Sequence, residues 1–426
     1  MDLAAFGIKK HTFALKNGLR VVLFERANMP IHLRAAFKAG CKYDPPGKEG
    51  LAHFSEHLLL AGTKRFPSST ELGAFIEQYG GWYNANTPKE EINLDIAIGD
   101  PADTEVAFEM MGEMLTTSLF LPQSIVSERE SVLGEVGEWE ANPSKQIWEV
   151  QNRLYFQGTP LGRHGVGTTS GVKASKRDDL VSFVSETITS DRGVVVVAGG
   201  ISKQDAENLS EIHFGNLHRS RADFSDGEAK VLRQKPILIV PKENRQIQLT
   251  LGFRTCPMAG ADEAALDVIS AVLGRGGSSS LQRVLRHDQA LVYSVWAESV
   301  NLAAGGWISV ETTAAKAKLQ QILDAICLEF RRVYKGKLSQ AEIDLAKAKI
   351  VKSTRLYLQS SYDVALSHSR YSLQVDSGWD VFDYDKRVSA VTADDIKRVG
   401  NKYFRPGEWY LGLIGDVKES DFSVNY

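Results

Sequence analysis

An α+β fold made of two duplicated halves, each a β-sheet layered with helices, is what the sequence predicts, and three observations carry that expectation. The chain has 426 residues, too many for one ordinary hydrophobic core. Segments of its first part return in the same order in its second part at a nearly constant offset. Short apolar runs with strand character alternate throughout with longer stretches of 3.6-residue periodicity, which is the pattern of helices laid on a sheet.

The repeat can be followed segment by segment. IHLRAAFKAG from Ile31 resembles IQLTLGFRTC from Ile247, an offset of 216 positions. GLAHFSEHLLLAG from Gly50 lies over EAALDVISAVLGR from Glu263 at an offset of 213, and LPQSIVSERESVLGEV from Leu121 lies over LSQAEIDLAKAKIVKS from Leu338 at 217. The runs LRVVLFER, GVVVVAGG, KPILIVP and EWYLGLIG read as strands. An N-terminal half at 1–217 and a C-terminal half at 236–426 follow, joined by the weakly hydrophobic segment 218–235 as linker.

Composition narrows the function. Hydrophobic residues make up 43% and charged residues 24%, the balance of a globular protein in water. A formal net charge of −3, with no long block of like charges, gives nucleic acid no electrostatic footing as a partner. No apolar run reaches membrane-spanning length. The first twenty residues lack the basic-then-apolar pattern of a secretory signal. Cys41, Cys256 and Cys327 are odd in number, scattered and without a C-x-x-C pair. They read as small core residues of a protein in a reducing, cytoplasmic compartment.

The chemistry concentrates at His53-Phe-Ser-Glu56-His57. On a helix, residues four apart share a face, so both imidazoles can address one metal ion. With Leu51 at zero, His53, Glu56 and His57 fall at roughly 200°, 140° and 240°. Leu51, Ala52, Phe54, Leu58 and Leu59 cover the rest of the helix, which should therefore be buried. Three ionisable groups on such a helix are costly unless they face a metal or a wet cleft. The competing reading is a buried helix whose histidines are satisfied by backbone carbonyls.

A hydrolytic zinc site needs a third protein ligand and an open fourth position. The acidic stretch SIVSERESVLGEVGEWE offers several candidates. Ile125, Val126, Val132, Leu133, Val136 and Trp139 form its apolar arc, Glu128 and Glu135 stand on the border, and Glu130 and Glu138 point away. Arg129 falls inside the apolar arc, where periodicity gives it no role. On these residues alone, Glu128 and Glu135 both remain candidates.

A longer series of motifs sets this site in context: LKNGLRVV, GLAHFSEHLLLAGT, GGWYNANTPKE, ERESVLGE, TPLGRHGVG, VVVVAGGIS and, in the second half, LGRGGSSSLQRVLRHDQALVYSV. In this order they resemble the pitrilysin and insulinase family of zinc metallopeptidases, the inverzincins, and especially its short bacterial and mitochondrial-processing-peptidase-like members. The resemblance implies one Zn2+ per chain on His53, His57 and Glu135, with Glu128 supporting the site and Glu56 as general base towards a zinc-bound water. Gly134 departs from the family pattern, where many relatives carry another acid. Arg286 and Tyr293 match a pair that grips the substrate backbone and helps stabilise the oxyanion, and their spacing of seven permits one helical face. Asn84 and Ala85 match an edge strand on which a peptide is laid by β-augmentation.

The implied activity is endopeptidase action on short or unfolded peptides inside a closed chamber formed by a homodimer, or by this chain with a related subunit. The alternatives are a non-catalytic core or partner subunit of a processing-peptidase-like complex, and a structural zinc site. Members that lose activity lose the H-x-x-E-H residues or the Arg/Tyr pair, and both sets are present here. A closed structural site, in turn, has no use for the glutamate at i+3.

Overall fold

The computed structural model describes residues 3–222, 224, 235–375 and 381–426. Eleven named strands form two sheets among them. The first contains β1 (Lys9–Ala14), β2 (Arg20–Glu25), β3 (Ile31–Phe37), β4 (Trp82–Asn86), β5 (Ile92–Ile98) and β6 (Gly193–Gly199), in the order β1-β2-β6-β3-β5-β4. The second contains β7 (Ile237–Pro241), β8 (Gln246–Thr255), β9 (Val295–Leu302), β10 (Gly305–Ala315) and β11 (Trp409–Gly415), in the order β7-β11-β8-β10-β9. The runs expected as strands are β2, β6, β7 and β11.

The duplication is explicit in this topology. Setting β2, β6, β3, β5 and β4 against β7, β11, β8, β10 and β9 gives one strand order twice. In each sheet the first of these pairs is parallel, and the other three are antiparallel. The extra strand β1 adds to the first sheet through a hairpin with β2.

Six helices matter below: α1 (Leu51–Leu59), α2 (Pro122–Ala141), α3 (Pro143–Tyr155), α4 (Glu263–Gly274), α5 (Gln340–Tyr357) and α6 (Ser361–Gln374). The chain divides into two compact units. The first comprises Met1–Glu138, Arg163–Asp226 and Leu356–Phe382, and the second Trp139–Gly162, Gly227–Arg355 and Asp383–Tyr426. Of the linker expected at 218–235, residues 223 and 225–234 lie outside the described residues.

Strand alternation explains how each sheet is filled on both faces. In the first unit, Val195 and Val197 of β6 pack in one cluster with Leu51, Phe54 and Leu58 of α1. Val194, Val196 and Ala198 pack in another with Val364, Ala365 and Leu373 of α6. A strand covered twice reads as the continuous apolar run that β6 is. In the second unit, Leu249, Leu251 and Phe253 of β8 join Leu266, Ile269 and Leu273 of α4. The opposite face holds Trp307, Tyr410 and Ile414 beneath Ile147, Val150 and Leu154 of α3. No helix among the described residues is long and apolar enough to cross a membrane. The three cysteines are buried free thiols, and burial pushes those of Cys256 and Cys327 up to about 11.

Under α3, one polar pair interrupts the second unit's apolar face. Glu298 on β9 and Glu311 on β10 share a hydrogen bond, and Gln151 Nε2 donates to Glu311. Burial, then the charge and hydrogen bond of Glu311, pushes Glu298 up to about 8, against a smaller opposing effect of Arg275. A carboxyl raised in the folded state contributes its stability in full below the ordinary glutamate range and loses it as pH rises through about 8. Glu298→Gln removes that titration. Urea midpoints measured from about pH 5 to about pH 9 should fall more steeply for the wild type than for the variant. Parallel pH profiles would show that Glu298 does not hold its proton in the fold.

Candidate metal centre

The site begins with how α1 is entered. Gly50, its N-cap, has φ +105°, and a Cβ there would lie 2.9 Å from Gly167 Cα and 3.1 Å from the Val166 carbonyl oxygen. Glycine is thus required twice over, by conformation and by the approach of the 166–167 backbone. In place of an N-cap side chain, the buried carboxyl of Asp44 accepts the N–H groups of Gly50 at 2.7 Å and Ala52 at 2.8 Å. Burial pushes Asp44 up to about 7, against the effect of those two bonds.

Nearly every residue of α1 is buried, His53 and Glu56 included. The polar groups are individually engaged. His53 Nδ1 donates to the Val166 carbonyl at 3.3 Å, and His57 Nδ1 donates to Glu128 Oε2 at 2.9 Å. These bonds put the proton of each ring on Nδ1 and turn Nε2 the other way. His53 Nε2 stands 3.2 Å from Glu135 Oε2, and His57 Nε2 3.5 Å from Glu135 Oε1. The ligand atoms of His53, His57 and Glu135 all lie within 4.8 Å of one another.

Two imidazole lone pairs and a carboxylate converging at this range repel one another unless a cation or shared protons intervene. Two nitrogens and one carboxylate make the donor set of a catalytic zinc site, so the residues fit that ion. Burial disfavours charge on His53, but the Glu135 hydrogen bond and the charges of Glu56 and Glu135 outweigh it, leaving this imidazole above its usual range. Glu56 is held above the usual carboxylate range by burial, opposed by the His53 charge and by a hydrogen bond from Thr87. The Thr87 hydroxyl donates to Glu56 Oε2 at 2.7 Å.

The structure gives the two candidate glutamates of α2 different places: Glu135 faces both Nε2 atoms, and Glu128 holds the far side of His57. Glu130 and Glu138 are exposed as expected. Val126 is not in the apolar face; it is 66% exposed. The buried stripe is only Ile125, Val132 and Val136, at steps of seven and four, which is narrower than the arc read from the wheel. Arg129 now has an explanation. Its guanidinium lies 5.1 Å from the centroid of the Phe54 ring on α1 and donates to the carbonyls of Val172 and Ser175.

Asn84 and Ala85 lie on β4, one of the two edge strands of the first sheet, with Asn84 exposed and Ala85 half-buried. Thr87, just past that strand, is a site residue that sequence reasoning passed over, although it stands in the same motif, GGWYNANTPKE. In the second unit, Arg286 lies 5.3 Å over the Tyr293 ring, and that ring is 85% exposed. The two do not share a helical face. The π-helical turn ends at Asp288, and Ala290, at φ +47°, redirects the chain before Tyr293.

Residues 30–169 match the family model described as insulinase (peptidase family M16), and residues 175–350 match the one described as peptidase M16 inactive domain. A probable mitochondrial-processing peptidase subunit beta from Arabidopsis thaliana is 25% identical over 423 residues, 95% of this chain and 78% of that one. An uncharacterized zinc protease from Rickettsia bellii is 24% identical, over 79% of this chain and 81% of that one. The crystal structure of a protease from Helicobacter pylori superposes with a TM-score of 0.88 at 22% identity, covering 96% of this chain and 99% of the other.

Arg129 gives the packing of α2 on α1 a direct test. Arg129→Met removes the cation–π contact and leaves the carbonyls of two buried residues, Val172 and Ser175, without their donor. A loss of about 2–4 kcal/mol in urea unfolding is expected. An unchanged midpoint would mean that the contact holds nothing together.

Proposed function

Because the chain belongs to the insulinase (M16) family of peptidases, we propose that it is a zinc-dependent endopeptidase of short or unfolded peptides, with His53, His57 and Glu135 as ligands and Glu56 as general base. One observation carries this reading. Both imidazoles are tied through Nδ1, so both Nε2 atoms are directed to Glu135 and to one point. A zinc ion held there supplies Lewis acidity towards water and the scissile carbonyl.

The remaining work falls to the chain. Glu56 receives the one proton of the attacking water, and the Thr87 hydroxyl fixes the carboxylate through Oε2, leaving Oε1 for that proton. Burial raises the affinity of Glu56 for that proton, which suits a base that must later return it to the leaving amine. Glu128 keeps His57 in the tautomer that a metal ligand requires. The free edge of β4, at Asn84 and Ala85, takes the peptide as an added strand. Arg286 and Tyr293 hold the peptide backbone, and the phenol steadies the developing oxyanion. Residues 1–217 form the catalytic half and 236–426 the half bearing the Arg/Tyr pair, in a cytoplasmic protein.

A second reading, a partner subunit without activity of its own, draws support from the relative named as subunit beta. The same measurements separate the two. The purified protein should hold about one zinc per chain and lose peptidase activity to a chelator. Glu56→Gln should keep the metal and lose turnover by on the order of 10²–10⁴-fold, whereas Glu135→Gln should lose metal. Zinc-replete protein that cleaves nothing in a mixed peptide library points to the subunit reading, and full activity without metal ends the zinc reading.

The Arg/Tyr pair is proposed to come from a second copy of the chain in a two-fold dimer. Mixing the inactive variants His53→Ala and Tyr293→Phe under subunit exchange would then create dimers with one doubly damaged and one intact site. Random exchange should restore roughly a quarter of wild-type sites. Activity at the mean of the two separate variants, with exchange confirmed by mass, rules the shared site out.

A further inference from the structure

We propose that the loop Arg275–Leu281 in the second unit is a binding site for a phosphate-sized oxyanion, either free or as the phosphoryl group of a larger ligand. A cavity of about 50 Å³ lies between this loop and α5, and its lining includes Arg275, Ser279, Ser280, Arg283, Glu342 and Lys349. Its volume is that of one small anion.

Two independent features point to a ligand. Ser279 and Ser280 are 4% and 5% exposed, and neither hydroxyl has a hydrogen-bond partner among the described residues. Buried and unanswered, each costs about 1–3 kcal/mol, so the fold gains nothing from either as it stands. The second feature is the charge around them. Arg275, Arg283 and Lys349 bring three cations to the cavity. Arg275 has a long contact with Asp267 at 3.4 Å, and Arg283 makes no ion pair among the described residues. The Lys349 ammonium donates to the Arg275 carbonyl.

The single carboxylate of the lining, Glu342, is already held by Arg332 at 2.9 and 3.1 Å and by Ser339 at 2.8 Å. It leaves the excess positive charge in place. Gly276, at φ +92°, lets Lys349 lie over the loop, since a Cβ there would collide with the ammonium. Burial and then the charge of Arg275 hold Lys349 below its usual range.

Phosphate answers each of these groups. Its oxygens accept from two hydroxyls and from cationic N–H groups at once, and its charge exceeds that of a carboxylate. Arg283 is followed three residues later by Arg286, so an anion on the loop braces the turn that carries the Arg/Tyr pair.

The site is tested by titrating the full chain with inorganic phosphate in a calorimeter and by thermal unfolding, neither of which depends on peptidase activity. Saturable binding tighter than about 10 mM, competed by sulfate but not by chloride, is expected, with a rise in Tm. Ser279→Ala/Ser280→Ala should lose at least about tenfold in affinity, yet keep or raise Tm in phosphate-free buffer, because it removes unanswered hydroxyls. Arg283→Ala/Lys349→Ala, changed at exposed side chains, should abolish binding and serves if the serine variant does not fold. A phosphoserine peptide that binds more tightly than inorganic phosphate assigns the site to a phosphorylated ligand, and weaker binding assigns it to the free anion. No saturation by the wild type, or equal affinity in both variants, overturns the proposal.

Discussion

Placing two imidazoles and a carboxyl on one helix, His53 and Glu56 buried and His57 half-buried, is the constraint that organises the first unit. An ionised group without partners in a protein interior costs several kcal/mol, and an ordinary hydrogen bond contributes about 1 kcal/mol. One partner each therefore does not suffice unless it is placed well. Val166 answers His53, Glu128 answers His57, Thr87 answers Glu56, and Glu135 meets both rings. These partners come from the end of β4, from α2 and from the loop after the 160–162 turn. What they leave unresolved is the convergence of lone pairs on Glu135. A zinc ion at that point would offset the convergence and the remaining desolvation, since zinc binding in small peptides releases about 10–16 kcal/mol at neutral pH.

Delivery of the groups rests on backbone geometry more than on side-chain affinity. The 166–167 backbone can approach α1 because Gly50 has no Cβ, and that approach is also what places the Val166 carbonyl at His53. Asp44 secures the first turn of the helix from the other side. On α2, the seven-residue step from Glu128 to Glu135 covers about 10 Å along the axis. That is the reach needed for one glutamate to hold His57 at Nδ1 and the other to face it at Nε2. Arg129, between them, rests on Phe54 and thereby ties α2 to α1 next to His53.

How much of this was legible in the sequence follows from where each signal resides. The grouping of His53, Glu56 and His57 on one helix was legible because an i, i+3, i+4 spacing is a local property, and so were the valine-rich strands and the repeat offset. Periodicity did not separate Glu128 from Glu135, since both fall on the border of the same stripe. The motif ERESVLGE separated them only by resemblance, and in the structure it is the position of α1 that gives them different places. The Val166 carbonyl carries no mark at all in a sequence, and Thr87 carries one only through its motif. Arg129 looked anomalous because periodicity sorts residues by polarity, whereas a guanidinium can lie flat on an aromatic ring and still satisfy its N–H groups on carbonyls. The helical face that a spacing of seven permits for Arg286 and Tyr293 is not formed, because the π-helical turn ends at Asp288 and Ala290 has positive φ. Nor does the pattern reveal that Trp139–Gly162 clusters with the second unit and Leu356–Phe382 with the first. Each helix has a buried apolar stripe, Ile147, Val150 and Leu154 on α3 and Val364, Ala365 and Leu373 on α6, but such a stripe does not name the sheet it will cover.

The second unit provides an internal control for the first. It repeats the same five-strand order, and α4 occupies the place of α1 in the repeat. Leu266, Ile269 and Ser270 stand there opposite His53, Glu56 and His57, all three wholly buried. The one hydroxyl among them is answered within its own helix, by the Asp267 carbonyl at 2.9 Å. The acids that α4 does carry lie elsewhere on it and have their own partners, Glu263 with Asn301 and Arg387 and Asp267 with Tyr384 and Arg275. The same architecture thus forms with no ionisable group at the three positions that match His53, Glu56 and His57. Putting three ionisable groups at those matched positions, and supplying partners from three other segments, is at best neutral for stability and usually costs it. Folding of this architecture therefore does not by itself call for ionisable groups at these three positions of α1.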